Sequence, residues 1–308
     1  MSLGVSGRQL VRRAAEWAAV RSGFAAIARQ QVLRRYLILC YHNVVPNGSQ
    51  PGADTSLHLS GSAFARQLDL LERFCHIVPL SEALARTDRG PPELRPCVAI
   101  TFDDAYRGAM TAGLAELRAR RLPATVFVAP GALQAPFWWD EYLGEDGAGR
   151  RAVALGELSG QGSRVRTYGA RLGWKVATVP DHAHAVTAAE LDEALTDPLL
   201  TLGAHSWSHP ALPHLDDETL AEELGRPLEW LRRRYPGATM PVIAYPYGLA
   251  DGRVARAAAA AGYEAGLRVA GGWLPKGPVD PFQIPRLNVP GAISEDGFLL
   301  RVSGVLAR

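Results

Sequence analysis

Short apolar runs alternating with helical stretches predict an α/β protein whose residues 37–308 form one closed or nearly closed (β/α) barrel. Six runs have buried-strand character: Leu37–Tyr41, Val98–Phe102, Thr125–Val128, Leu200–Ala204, Val242–Tyr245 and Tyr263–Leu267. Between them, Phe64–Phe74, Gly108–Arg121, Glu218–Tyr235 and Gly252–Ala261 carry helical periodicity. Strand, helix, strand in repetition means a parallel sheet, and a chain of 308 residues is long enough to close it. An open doubly wound sheet is the alternative, but no GxGxxG turn supports a nucleotide fold.

Ahead of the first strand, residues 1–36 form a basic amphipathic segment. Arg8, Arg12, Arg13, Arg21, Arg29, Arg34 and Arg35 face only Glu16. On a helical wheel Leu10, Ala14, Trp17, Phe24 and Ala28 fall near one face, with Ser22-Gly23 able to break the helix. Two readings stand. The segment packs on the domain, or it lies on an anionic membrane surface with Trp17 and Phe24 inserted.

A hydrophobic share of 47% and a charged share of 21% fit a soluble globular protein. The net charge of +2 makes no case for nucleic-acid binding. Cys40, Cys75 and Cys97 are odd in number and lack CxxC spacing, so buried reduced thiols in a cytoplasmic protein are expected. No apolar run reaches transmembrane length, and charges occupy the place of a secretory signal's apolar core. The sequon Asn47-Gly48-Ser49 is accordingly expected to be only a turn.

The stretch 141–186 breaks the rhythm. It is rich in Gly, Arg and Ala, has little clean periodicity, and reads as an irregular insertion serving as a lid or mobile loop. His182 and His184 within it are expected to be solvated rather than metal-bound.

Chemistry concentrates at predicted strand ends, where a parallel barrel gathers its reactive groups. Asp103 and Asp104 follow the second run. One aspartate would serve as a helix cap, but a second beside it adds repulsion unless a cation compensates. His205 and His209 follow the fourth run, and their spacing lets both imidazoles converge if the segment turns helically. One carboxylate and two imidazoles leave open positions on a divalent metal, as a catalytic site requires. Tyr245-Pro246-Tyr247-Gly248 ends the fifth run in a tight turn, which alone reads as ordinary strand termination and in this company becomes a candidate oxyanion donor. Phe137-Trp138-Trp139-Asp140 follows the third run. Its adjacent tryptophans are a barrel-rim plug or a platform for a sugar face, and their position favours the platform, so Trp138, Trp139, Asp140 and Tyr247 are expected to touch substrate.

These motifs in this order, with Cys40-Tyr41-His42-Asn43-Val44 and Pro123-Ala124-Thr125-Val126-Phe127-Val128, resemble the polysaccharide deacetylase family, the NodB-homology carbohydrate esterases. The resemblance runs over about residues 37–290. It implies a distorted (β/α) barrel that removes an N-acetyl group from an amino sugar. Carried over by position, Asp104, His205 and His209 hold the metal, Asp103 is the catalytic base, and the Tyr247 N–H faces the oxyanion. Zinc suits such a ligand set, as do cobalt and nickel.

Two departures from the family pattern matter. Ala244 stands where an arginine is common, and no Leu-x-His supplying the general acid follows residue 214. The chain looks like the branch in which an N-terminal Tyr-His provides that acid, which points to His42. Arg286, in Pro281-Phe282-Gln283-Ile284-Pro285-Arg286, is the candidate to replace the missing arginine and orient Asp103.

The leading expectation is therefore a metal-dependent deacetylase acting on an acetylated amino-sugar precursor of a cell-surface glycan. The alternatives are a deformylase or amidase on a lipid-linked or non-sugar amide, and an inactive carbohydrate-binding barrel. The intact Asp104, His205 and His209 set argues against the last.

Overall fold

A computed structural model describes residues 7–85, 94–144 and 147–305. Among the described residues there are eleven strands: β1 (Tyr36–Tyr41), β2 (Asn43–Val45), β3 (His58–Ser60), β4 (His76–Ile77), β5 (Cys97–Phe102), β6 (Ala124–Val128), β7 (Leu200–Ala204), β8 (Thr239–Ala244), β9 (Ala265–Arg268), β10 (Ile284–Pro285) and β11 (Leu287–Asn288). All six predicted runs are strands, with ends shifted by at most a few residues. The main sheet runs β10-β9-β8-β7-β6-β5-β1-β11, with β4 also paired to β5. Every pairing in it is parallel.

β10 and β11 sit at opposite ends of that path yet are separated only by Arg286. One continuous segment thus joins the first and last strands, and the barrel is nearly closed through Arg286. The strands are buried on both faces, which explains why they read as unbroken apolar runs rather than alternating ones.

The helices are α1 (Gly7–Arg21), α2 (Phe24–Gln31), α3 (Gly61–Phe74), α4 (Leu80–Leu84), α5 (Leu114–Arg120), α6 (Trp138–Tyr142), α7 (Gly147–Gly156), α8 (Gly162–Arg171), α9 (Ala188–Ala194), α10 (Asp217–Arg234), α11 (Gly252–Ala260) and α12 (Glu295–Val302). The predicted helix from Gly108 is split into a π-helical turn at Ala109–Gly113 followed by α5. Gly108 meets β2 too closely for a side chain: a Cβ there would lie 2.4 Å from the Val44 carbonyl.

The 141–186 stretch is only partly irregular. α7 and α8, ten residues each, lie within it, tied down by the Arg166–Glu141 ion pair (2.7 Å) and by Trp174 packed against Tyr142 and Tyr168. Both helices are poor in large apolar residues, so their periodicity is faint; residues 145–146 of the insertion lie outside the described ones.

At the N-terminus the helix breaks at Ser22-Gly23 as expected, with Gly23 in the left-handed region (φ 80°). Residues 1–6 of that segment lie outside the described ones. Among the described residues no helix is long and apolar enough to cross a membrane. Cys40, Cys75 and Cys97 are buried and none forms a disulfide. Asn47-Gly48-Ser49 is a turn, closed by the Ser49 N–H on the Pro46 carbonyl (3.0 Å).

Candidate metal centre and active site

A pocket of about 290 Å³ opens at the C-terminal ends of β1, β5, β7, β8 and β11. His42, Asp103, Asp104, His205, His209, Trp139 and Tyr247 all line it. Arg286 stands behind Asp103, fully buried.

Asp104 Oδ1 lies 3.5 Å from His205 Nε2 and 3.3 Å from His209 Nε2, and the two Nε2 atoms are 3.1 Å apart. Ligand atoms held tetrahedrally at about 2.0–2.1 Å from one ion would be about 3.3 Å from each other. The three atoms therefore fit a single divalent cation. Asp104 Oδ1 is buried without a hydrogen bond of its own, as a ligand oxygen awaiting a cation would be. His205 Nδ1–H donates to the Ala244 carbonyl (2.7 Å), which fixes the tautomer that leaves Nε2 bare. Burial pushes the His205 pKa down to about 4, so the ring is neutral near pH 7, the form that coordinates.

The histidines do not converge through a helical turn. Residues 205–209 form a bend in which Ser206 (φ 60°) and His209 (φ 63°) are left-handed. Glu223 of α10 holds that bend: its Oε2 accepts from the N–H groups of Trp207 (2.9 Å) and Ser208 (2.8 Å), and its Oε1 from Ser208 Oγ (2.6 Å). Asp104 (φ 71°), Ala105 (φ 50°) and Tyr247 (φ 58°) are left-handed too. Each such residue costs about 1–2 kcal/mol in an L-amino acid, so strain is concentrated where the putting together of ligands demands it.

Asp103 is not a helix cap. Its backbone N–H extends the sheet onto the Tyr41 carbonyl (2.9 Å), and its carboxylate receives both Nη atoms of Arg286 at 2.7 Å. Burial alone would raise the Asp103 pKa; the Arg286 guanidinium outweighs it and holds the carboxyl well below the usual range. Burial likewise opposes the charge on Arg286, and Asp103 overcomes it, raising that pKa. Burial also pushes the Cys40 thiol well up, so the neutral S–H donates to Asp103 Oδ2 (3.3 Å). His42, Cys40 and Asp103 each place a polar atom within 4.8 Å of the others, and His42 Nδ1 is buried without a hydrogen bond.

The turn after β8 carries hydrogen bonds from Gly248 N–H to the Tyr245 carbonyl and from Leu249 N–H to the Pro246 carbonyl; neither uses the Tyr247 N–H. The Tyr247 ring packs edge-on to His209, 4.7 Å between centroids, and its hydroxyl accepts from Trp138 Nε1 (3.1 Å) and donates to the Gly160 carbonyl (3.2 Å).

The Trp138-Trp139-Asp140 expectation needs correction. Both indoles are buried, so neither is an open platform. Trp139 is a wall of the pocket, stacked on Phe137 (4.5 Å) and packed on His209 (4.8 Å). Trp138 faces an adjoining cleft that also borders His209. Asp140 does not reach the pocket: its two oxygens take His58 Nε2 (2.7 Å) and the Tyr106 hydroxyl (2.8 Å). Tyr106 in turn accepts from Trp139 Nε1 (2.7 Å), so Asp140 anchors the wall from behind. His182 belongs to the same buried network, accepting from Asn43 Nδ2 (3.0 Å) and donating to the Gln50 carbonyl (2.8 Å); His184 donates to the Pro180 carbonyl. His182 is thus buried rather than solvated, whereas His184 is half-buried.

Arg151 and Leu155 of α7 also line the pocket, with Arg151 paired to Asp54. Their Gly- and Arg-rich surroundings carry no sequence signal for this, and Glu223 looks like any acidic residue of an amphipathic helix.

A polysaccharide deacetylase family profile matches residues 91–266, more than half of the chain. His42 and Arg286 lie outside the matched segment. A search of curated protein sequences found no match. Among solved structures the fold is similar to the Streptococcus pyogenes deacetylase PplD in complex with acetate, at 17% identity over 86% of this chain and 96% of that one (TM-score 0.59). It is similar also to IcaB from Ammonifex degensii, at 18% identity over 89% and 97% (TM-score 0.58). A third is a de-N-acetylase from Aggregatibacter actinomycetemcomitans, at 15% identity over 88% and 100% (TM-score 0.59).

Proposed function

The chain belongs to the polysaccharide deacetylase family, and from that premise we propose that it is a metal-dependent de-N-acetylase of an amino-sugar glycan or glycan precursor. The observation that carries this reading is the spacing of Asp104 Oδ1, His205 Nε2 and His209 Nε2 beside an arginine-clamped second carboxylate. A divalent ion held there, with zinc the first choice, would supply Lewis-acid chemistry, acidifying water and polarising the amide carbonyl.

The protein's own groups do the rest. Asp103, kept ionised by Arg286, accepts the proton of the attacking water. The Tyr247 N–H faces the oxyanion that develops as the carbonyl carbon becomes tetrahedral. His42 delivers a proton to the nitrogen as the C–N bond breaks, leaving acetate and a free amine. Trp139 closes one side of the pocket with an apolar wall suited to a methyl group.

The test is mass spectrometry of acetylated amino-sugar oligomers and lipid- or nucleotide-linked precursors incubated with the protein. Loss of an acetyl group that a chelator abolishes is the expected result. A purely sugar-binding barrel would leave every substrate intact.

A further inference from the structure

α1 and α2 present an apolar surface unrelated to the barrel core. α1 is fastened on one side only, where Ser294 Oγ donates to Glu16 (2.5 Å) at the start of α12. Its other side is open. Leu10 (57% exposed), Val11 (72%) and Trp17 (53%) stand out on α1, and Phe24 (54%) and Ile27 (66%) on α2. Half of the large hydrophobic side chains exposed among the described residues fall within these 18 positions, so the clustering is not scatter.

The charge around them is predominantly positive. Residues 8–35 hold seven arginines against Glu16, whereas the whole chain is only +2; the rest of the molecule is therefore net negative. Arg29 is stacked on Phe74 and Arg35 is bonded to the carbonyls of Trp273 and Leu274, but Arg12, Arg13, Arg21 and Arg34 are exposed. An apolar groove of about 510 Å³ lies beneath, lined by Ala15, Ala19, Phe24, Ile293 and Leu300 with Arg12 and Arg301.

We propose that α1 and α2 dock the protein on an anionic phospholipid bilayer. Trp17, Phe24 and Ile27 enter the interface, the exposed arginines meet lipid phosphates, and the groove admits an acyl chain. A basic surface on an otherwise acidic molecule also sets the orientation. The segment 288–293 runs from the catalytic pocket, which Asn288 lines, to the groove, which Pro290 and Ile293 line. Docking therefore brings the pocket close to the headgroup region, where a lipid-carried glycan would be presented. The docking surface is independent of the proposed chemistry.

The test uses the full-length protein in flotation with vesicles of phosphatidylcholine, with and without phosphatidylglycerol, at low and high salt. Wild type should float with the anionic vesicles only, and high salt should release it. Arg13→Gln with Arg21→Gln and Arg34→Gln should weaken binding roughly a hundredfold. Trp17→Ser with Ile27→Ser should abolish it while circular dichroism stays unchanged, since both residues are exposed. Wild type that stays unbound at low salt, or binds both vesicle types equally, overturns the proposal. So does a dimer that the Trp17 and Ile27 substitutions dissociate in the absence of lipid binding, because the surface would then belong to a second copy.

Discussion

Arg286 and Asp103, 183 residues apart in sequence, meet through two parallel hydrogen bonds of 2.7 Å, one from each guanidinium Nη to a separate carboxylate oxygen. Both side chains are buried, and Arg286 is also the residue through which β10 passes into β11. The contact that orders the proposed base is thus the one that joins the ends of the barrel.

Arg286→Met should accordingly damage both. It leaves Asp103 buried and unpaired, which typically costs about 3–5 kcal/mol, and melting should shift down to match. Arg286→Lys should recover part of the stability without the two-point clamp.

The same pair sets an acid limit. Asp103 titrates in the fold below its unfolded pKa of about 3.9, so its stabilisation is complete above that value. The contribution is lost as pH falls through the lower folded pKa. Without Arg286, burial raises the Asp103 pKa, and the acid-unfolding midpoint should move to higher pH. An unchanged midpoint in Arg286→Met would show that the pair contributes nothing across this window.

Asp103→Asn and Asp104→Asn should separate base from ligand. The first should keep the metal and lose about a hundred- to ten-thousand-fold in turnover, read by acetate release. The second should lose metal, read by elemental analysis. The opposite pattern would exchange the two roles.

His42→Ala should remove most activity, read by acetate release, because the proposed proton donor to the departing amine is then gone. Undiminished acetate release in this variant would assign His42 to packing alone.

Glu223→Ala should weaken metal binding about ten- to a hundredfold, though Glu223 touches no ligand atom, because it holds the 206–209 bend in its strained form. Isothermal titration with zinc reads this directly.

Much of this architecture is legible from residue order. Strands buried on both faces stand out as apolar runs, and a chemical group at the end of each follows from the parallel sheet. β10 and β11, two residues each, are too short to carry a pattern, yet Arg286 is conspicuous beside them. The bend at 205–209 is hidden because its left-handed residues are Ser206 and His209, not the glycine or asparagine that advertise such a conformation. Asp140 misleads for a related reason: beside two tryptophans it looks like a sugar ligand, and only the fold reveals His58 and Tyr106 as its partners.

The most direct measurement is a zinc titration of chelator-treated protein, with acetate release from an acetylated amino-sugar oligomer followed at each point. Activity should rise linearly to one ion per chain and then level off, and His205→Ala should show neither tight zinc binding nor acetate release. Full acetate release from metal-free protein, or equal activity in His205→Ala, would contradict a catalytic metal at Asp104, His205 and His209.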